Sequence, residues 1–240
     1  MLLERLTAML KEIDENRLAS MIDSTLLDPQ ARRRHFEEAV LLVAKYGFKC
    51  LMVPPMVVEW IFKSAINHDV TLCAVIGFPA GFSGVESKLA EIRAVSDRVA
   101  ELDIVPGFYN VDAGIEELER ELAVLVDEAR MGGVKIVKVI VESPLLSEED
   151  LRALVEASSR VKADFVKTST GVYSKGGDYY NVARLYRIAS DYGLKVKASG
   201  GIKTGLDAIL AIAAGASRIG TSSAVEVIKS YKSLVSGALD

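Results

Sequence analysis

The sequence predicts an α/β protein built as a single (β/α)8 barrel (the TIM-barrel architecture), a parallel sheet closed on itself with its helices outside. Three observations carry that expectation. Eight short apolar runs are each followed by a segment of helical period, so strand and helix alternate along the chain. The 240 residues suit one such barrel, and half are hydrophobic, enough for one large core without a linker. Lys138, Lys167 and Lys197 lie in otherwise apolar runs, 29 and 30 residues apart, the interval of one strand–helix–strand crossover. An open doubly wound sheet is the alternative packing of the same units.

The elements follow in order. Residues 1–16 read as an extra N-terminal amphipathic helix, with Leu3, Leu6, Met9, Leu10 and Ile13 on one stripe, ahead of a barrel over 17–235. Strand one is read as Leu18–Ile22, opening into Asp23-Ser24-Thr25, and its helix closes at Gly47. Strand two runs Lys49–Val53, and Pro54-Pro55 opens a helix as proline can in a first turn. Strand three, Leu72–Ile76, opens into Gly77-Phe78-Pro79. Strand four, Val99–Val105, carries Asp103 and precedes a helix over 115–131. Strand five carries Lys138 and Glu142, and Ser147-Glu148-Glu149-Asp150 signals the next helix start. Strand six ends at Lys167, strand seven carries Lys197 and opens into Gly200-Gly201, and strand eight runs Ser217–Gly220 into Thr221-Ser222-Ser223.

Composition narrows the function. A net charge of -4 and a pI near 5.4 argue against nucleic acid as the main partner. No uncharged apolar span reaches 18 residues and the N-terminus carries acids early, so neither a membrane helix nor a secretory signal is read, and the expected location is the cytoplasm. Cys50 and Cys73 begin consecutive strands and could be neighbours; buried free thiols are the expected state, with pairing left open. His35 and His68 have no clustered acids around them, so no metal site is read and no cofactor is expected. One Gln and four Asn in the chain hint at a thermophilic source.

The lysines carry the chemistry. In such barrels the reactive groups sit at the C-terminal ends of the strands. The matched spacing is expected to set Lys138, Lys167 and Lys197 at one height, with Asp103 beside them. A lysine attacks a carbonyl only when neutral, and at an ordinary pKa of about 10.4 only ~0.04 % of it is neutral at pH 7. Lowering that pKa by about three units requires ~4 kcal/mol. A second ammonium at ~5 Å supplies about 3 kcal/mol at an effective dielectric of 20, and partial burial supplies the rest. Asp103 would then serve proton transfer. Gly200, Gly201 and Gly220, with Ser222, Ser223 and Gly171, fit a phosphate cradle at the ends of the late strands.

These residues together resemble the 2-deoxyribose-5-phosphate aldolases, a Schiff-base (class I) aldolase family. The likeness runs from Ile22-Asp23-Ser24-Thr25-Leu26-Leu27 through Val75-Ile76-Gly77-Phe78-Pro79, Glu101–Val105 and Lys138–Glu142. It continues through Phe165-Val166-Lys167-Thr168-Ser169-Thr170-Gly171 and Val196-Lys197-Ala198-Ser199-Gly200-Gly201 to Ile219–Ser223. The resemblance implies reversible cleavage of 2-deoxy-D-ribose 5-phosphate to D-glyceraldehyde 3-phosphate and acetaldehyde. It gives Lys167 the Schiff base, Lys197 the neighbouring charge and Asp103 the proton relay, and adds Asp23, Thr25, Lys138 and Thr168 to the substrate-binding set. A homo-oligomer, dimer or tetramer, is expected as well. Ser143-Pro144 after Glu142, Pro106-Gly107-Phe108 after strand four and Val172 after the Ser-Thr-Gly turn depart from the usual family pattern, with Lys175 the basic residue nearest to replace the last. On the residues alone, a Schiff-base aldolase for a different phosphorylated sugar and a non-catalytic phosphosugar-binding barrel remain open.

Overall fold

A computed structural model describes residues 9–10, 12–64 and 70–237. Eight parallel strands close a barrel in sequence order: β1 Ile22–Thr25, β2 Cys50–Val53, β3 Leu72–Ile76, β4 Glu101–Ile104, β5 Ile136–Ile140, β6 Phe165–Lys167, β7 Lys195–Ser199 and β8 Arg218–Thr221. The closing pair is β1 with β8, Asp23 opposite Gly220. Around it lie α1 Glu15–Ala19, α2 Arg33–Tyr46, α3 Pro55–Lys63, α4 Val85–Val95, α5 Ile115–Met131, α6 Glu148–Arg160, α7 Tyr179–Asp191, α8 Gly205–Ala213 and α9 Ala224–Ser236. The main core lies between the strands' outer faces and these helices: Leu102, Val137, Val139, Val166, Val196 and Ile219 face out of the barrel into it. Strands covered on both faces need the near-continuous apolar runs the sequence shows.

The helix starts fall where local chemistry puts them. Ser147 accepts a hydrogen bond from Asp150 N at 3.1 Å, and Asp178 caps α7 through Asn181 N at 3.1 Å. Thr204 and Asp207 form a reciprocal capping box on α8. Pro55 stands in the first turn of α3, and Gly47 closes α2 in the left-handed conformation at φ 66°.

Three expectations are corrected. Most of the predicted 1–16 helix lies outside the described residues, and the run assigned to strand one is partly helical: Leu18 and Ala19 belong to α1, which Asp14 caps by accepting from Arg17 N at 2.7 Å. A short apolar run does not separate strand from buried helix, and here the cap decides. Tyr231 of α9 fastens this segment by donating its hydroxyl to Ile13 O. Cys50 and Cys73 are bonded to each other, with Cα atoms 6.2 Å apart inside the barrel, so they are not free thiols. The third concerns height: Lys167 is opposite Lys197, but Ile140, not Lys138, is opposite Lys167. The stagger of a closed barrel sets Lys138 two residues lower, across from Asp103 and Phe165. His68 lies outside the described residues. Among those described, no helix is long and apolar enough to cross a membrane.

Candidate active site

Alternation sends Asp23, Glu101, Asp103, Lys138, Lys167, Lys197 and Arg218 into the barrel, where all seven are buried. Their long side chains converge although the backbones are staggered. Lys167 Nζ donates to Asp103 Oδ2 at 2.9 Å, and Lys197 Nζ donates to the same oxygen at 2.8 Å. Lys197 also reaches Asp23 Oδ2 at 2.5 Å. Lys138 Nζ meets Glu101 Oε2 at 2.6 Å, Asp103 Oδ1 at 2.9 Å and Asp23 Oδ2 at 3.7 Å. Arg218 spans Asp23 Oδ1 at 2.7 Å and Glu101 Oε2 at 2.8 Å beneath them. Gly220 has a packing reason for its missing side chain, since a Cβ there would stand 2.8 Å from Lys197 Cε.

The partners are unevenly shared. Lys138 has three carboxylates, Lys197 and Arg218 two each, and Lys167 only a half share of one oxygen. Four cations thus stand against three carboxylates, and Lys167 is the one least held. Its ionisation follows. Burial pushes the Lys167 ammonium down, Asp103 pulls it back up, and Lys197 and Lys138 push it down again, leaving it at about 8 against an ordinary 10.5. Burial is therefore the largest cause, ahead of the lysine pair given first place on sequence grounds. Lys138 moves the other way: burial lowers it, but Asp103, Asp23 and Glu101 outweigh that and hold it firmly protonated. Burial pushes Asp103 up, yet Lys138, Lys167 and Lys197 prevail and hold it well below the usual carboxylate range.

Above Lys167 opens a cavity of about 540 Å³, lined by Thr25, Leu26 and Phe78 together with Gly171, Ser199, Gly200, Gly201, Gly220 and Ser222. Gly171, Gly200 and Gly201 all hold positive φ, at 79°, 89° and 88°. The cavity therefore carries Lys167, Thr25, Gly171, Gly200, Gly201, Gly220 and Ser222 from the expected set. Asp23, Asp103, Lys138 and Lys197 lie beneath it. Ser223 borders a neighbouring groove of about 640 Å³ between α2 and α9, which has no buried charge cluster. Thr168 points into the wall: its hydroxyl donates to Ser199 O at 3.0 Å and accepts from Ser199 N at 2.9 Å, clasping β6 to β7.

Sequence reasoning missed Glu101 and Arg218, although Glu101 shares the parity of Asp103 on β4 and Arg218 that of Gly220 on β8. The sequence also puts Glu142 on strand five, where its parity with Lys138 would turn it inward. That strand ends at Ile140, and Glu142 takes a left-handed turn, φ 43°. Its carboxylate accepts from Thr170 N and Ser174 Oγ, each at 2.5 Å, and pins the loop that follows Lys167. Among the described residues one trio of potential metal ligands converges, Cys50, Cys73 and Glu101. Its sulfurs are bonded together and its carboxylate is taken by Lys138 and Arg218, so it offers a cation little.

No protein-family model matches the chain. Curated relatives do. The deoxyribose-phosphate aldolase of Aeropyrum pernix is 48% identical over 219 residues, 91% of this chain and 92% of its own. That of Clostridium kluyveri (strain ATCC 8527) is 38% identical over 218 residues, 90% of this chain and 99% of its own. Among solved structures, the tetrameric deoxyribose phosphate aldolase of Aeropyrum pernix superposes with a TM-score of 0.90 at 45% identity, covering 96% of this chain and 97% of that one. With that identity sustained over nine-tenths of both chains, and with a depressed lysine at the floor of its barrel mouth, the chain belongs to the deoxyribose-phosphate aldolase family.

Proposed function

We propose that the chain, as one catalytic domain, reversibly cleaves 2-deoxy-D-ribose 5-phosphate to D-glyceraldehyde 3-phosphate and acetaldehyde through a Schiff base on Lys167. One observation carries the reading above the others: Lys167 alone combines access to the cavity, a single shared carboxylate and an ammonium lowered to about 8. A lysine so placed is neutral in a useful fraction near neutral pH, which a binding protein would not need. Its free amine adds to the sugar's aldehyde carbon, and loss of water gives the iminium. The iminium draws electrons from the carbon–carbon bond as the neighbouring hydroxyl gives up its proton, releasing glyceraldehyde 3-phosphate. The enamine left on Lys167 takes a proton, and water frees acetaldehyde.

Against its burial, Lys138, Lys167 and Lys197 hold Asp103 as a carboxylate, the form that can accept a proton and relay it. Asp103 also acts as the fixed acceptor that aligns Lys167 and Lys197 on one oxygen, and Lys197 is the donor within reach of the reacting nitrogen. Gly171, Gly200, Gly201 and Ser222, which line the cavity, are the proposed phosphate cradle, with Lys203 and Lys175 beside it. The tetrameric relative supports a homo-oligomer for this chain too. The test is a coupled assay for glyceraldehyde 3-phosphate release, with borohydride trapping and peptide mapping. Release and an adduct on the Lys167 peptide are expected. No release, or an adduct on Lys138 or Lys197, would overturn the assignment.

A further inference from the structure

Asp103, Lys167 and Lys197 carry the proposed reaction, and Arg218 and Glu101 take no part in its steps. Both are buried, on strands far apart in sequence, and both are fully engaged. Arg218 takes Asp23 Oδ1 at 2.7 Å, Glu101 Oε2 at 2.8 Å and Glu101 Oε1 at 3.3 Å. It also lies over the Phe165 ring, with Cζ 5.5 Å from the centroid, and Phe165 shares the inner face of β6 with Lys167. A ring contact and a two-carboxylate fork fix the guanidinium.

A guanidinium cannot relieve crowding by losing its proton, whereas a lysine can. Arg218 draws on two of the three carboxylates, Lys138 on all three and Lys197 on two, so the remaining cation goes short. We propose that Arg218 and Glu101 are positioning residues for the aldol reaction. Arg218 holds a permanent positive charge across Asp23 and Glu101, the buried set is left one carboxylate short, and the shortage falls on Lys167. The surplus is a property of the whole set, so it can be tuned from its lower layer without touching the substrate.

Every charged group facing Lys167 enters this balance. These are Asp23 from β1, Glu101 and Asp103 from β4, Lys138 from β5, Lys197 from β7 and Arg218 from β8. β2 and β3 present the joined Cys50 and Cys73, which do not titrate. Glu142 is turned onto Thr170 N and Ser174 Oγ, and Lys195 is exposed, with Nζ 5.6 Å from the Phe165 centroid. Asp28 and Lys203 line the cavity. Their charges face solvent and are screened.

The inference rests on Lys167 being the Schiff-base lysine, and the experiment separates the two. Wild type is first trapped with borohydride and mapped; an adduct away from Lys167 sinks the reading of the site and this inference with it. With the adduct on Lys167, the acidic limb of the kcat/KM profile and the rate of trapping against pH are followed in variants. Arg218→Met brings the set to balance with Lys167 protonated, so the limb should rise by about one pH unit and activity at pH 7 fall about ten-fold, recovering in alkali. Glu101→Gln raises the surplus to two, so the limb should fall by about one unit. The double variant restores a surplus of one and should return the limb to its wild-type position, and Arg218→Lys should leave it near there. Glu101→Gln is isosteric and keeps an acceptor for both neighbours, so it carries the test if Arg218→Met does not fold. Folded variants whose limb stays put, or singles that move it in the same direction, would overturn the proposal while leaving Lys167 as the Schiff-base lysine.

Discussion

Replacing Lys197 by Met isolates one charge acting on Lys167. The two ammonium nitrogens sit 2.9 and 2.8 Å from the same Asp103 oxygen, so they are less than ~6 Å apart. At an effective dielectric of about 20 that repulsion is worth about 3 kcal/mol, or about two pKa units. Loss of Lys197 also leaves Asp103 Oδ2 to Lys167 alone, which adds in the same direction. The Lys167 ammonium should therefore climb from about 8 to roughly 10 or above. At pH 7 the neutral fraction drops from about a tenth to about a thousandth, so ionisation alone takes about 100-fold from kcat/KM. The fold should survive, because neither carboxylate is orphaned: Asp23 keeps Arg218 at 2.7 Å and Asp103 keeps Lys138 at 2.9 Å. The assay is the pH profile of kcat/KM for both proteins, with circular dichroism at each pH. A limb shifted up by about two units, with activity recovering above pH 9, is the expected outcome. A pH-independent loss with an unmoved limb would refute the electrostatic role and leave Lys197 as a proton donor only.

Three further outcomes follow from the geometry. Gly200→Ala would bring a Cβ to 2.4 Å from Ser169 Oγ and 3.1 Å from Ser174 O at a φ of 89°, so KM for the phosphorylated sugar should rise at least about ten-fold while Lys167 still traps small aldehydes. Glu142→Gln weakens two charge-assisted bonds to the loop after Lys167; steady-state kinetics should show kcat/KM falling about ten-fold or more with the acidic limb unmoved. Lys167→Met should abolish turnover yet melt higher than wild type in thermal unfolding at pH 7.

Much of this site was legible because period two and crossover length are properties of the chain itself. Lys167 and Lys197 lie on adjacent strands with the same parity, and the register makes them partners. The height of Lys138 was not legible, because the offset between neighbouring strands belongs to the closed barrel and no single strand encodes it. The same offset hid the Cys50–Cys73 bond: both cysteines were visible at strand starts, but Met52, not Cys50, is opposite Cys73, and pairing depends on how far the strands slide. Glu101 and Arg218 were passed over for another reason. A lone charged residue in a strand is usually an outer or snorkelling side chain, and only the converging partners across the barrel show that these two point inward. Glu142 kept its buried carboxylate but lost the argument for it, since parity stops where the strand stops.

The Lys167→Met outcome states what the site costs the fold. Below pH 8 the Lys167 ammonium is charged in both the folded and the unfolded chain, but the folded one holds its proton less tightly, about 8 against an ordinary 10.5. Between those values the unfolded chain binds more protons than the folded one, so this group's contribution to stability rises with pH across the window and is least at neutrality. The gap corresponds to up to roughly 3 kcal/mol against the folded state at pH 7. Methionine removes that penalty, and Asp103 still has Lys138 at 2.9 Å and Lys197 at 2.8 Å to satisfy it. For a chain of this length that difference is worth up to several degrees in Tm, and it should shrink as the comparison is repeated toward pH 10.5 and the wild-type lysine loses its proton in both states. A variant that melts below wild type at pH 7, or a difference that does not change with pH, would mean that Lys167 is stabilised where it sits and that the surplus charge is borne elsewhere in the network. The reactivity proposed for Lys167 and its cost to stability share the same causes, burial first and then the neighbouring Lys197 and Lys138 charges that Asp103 only partly offsets.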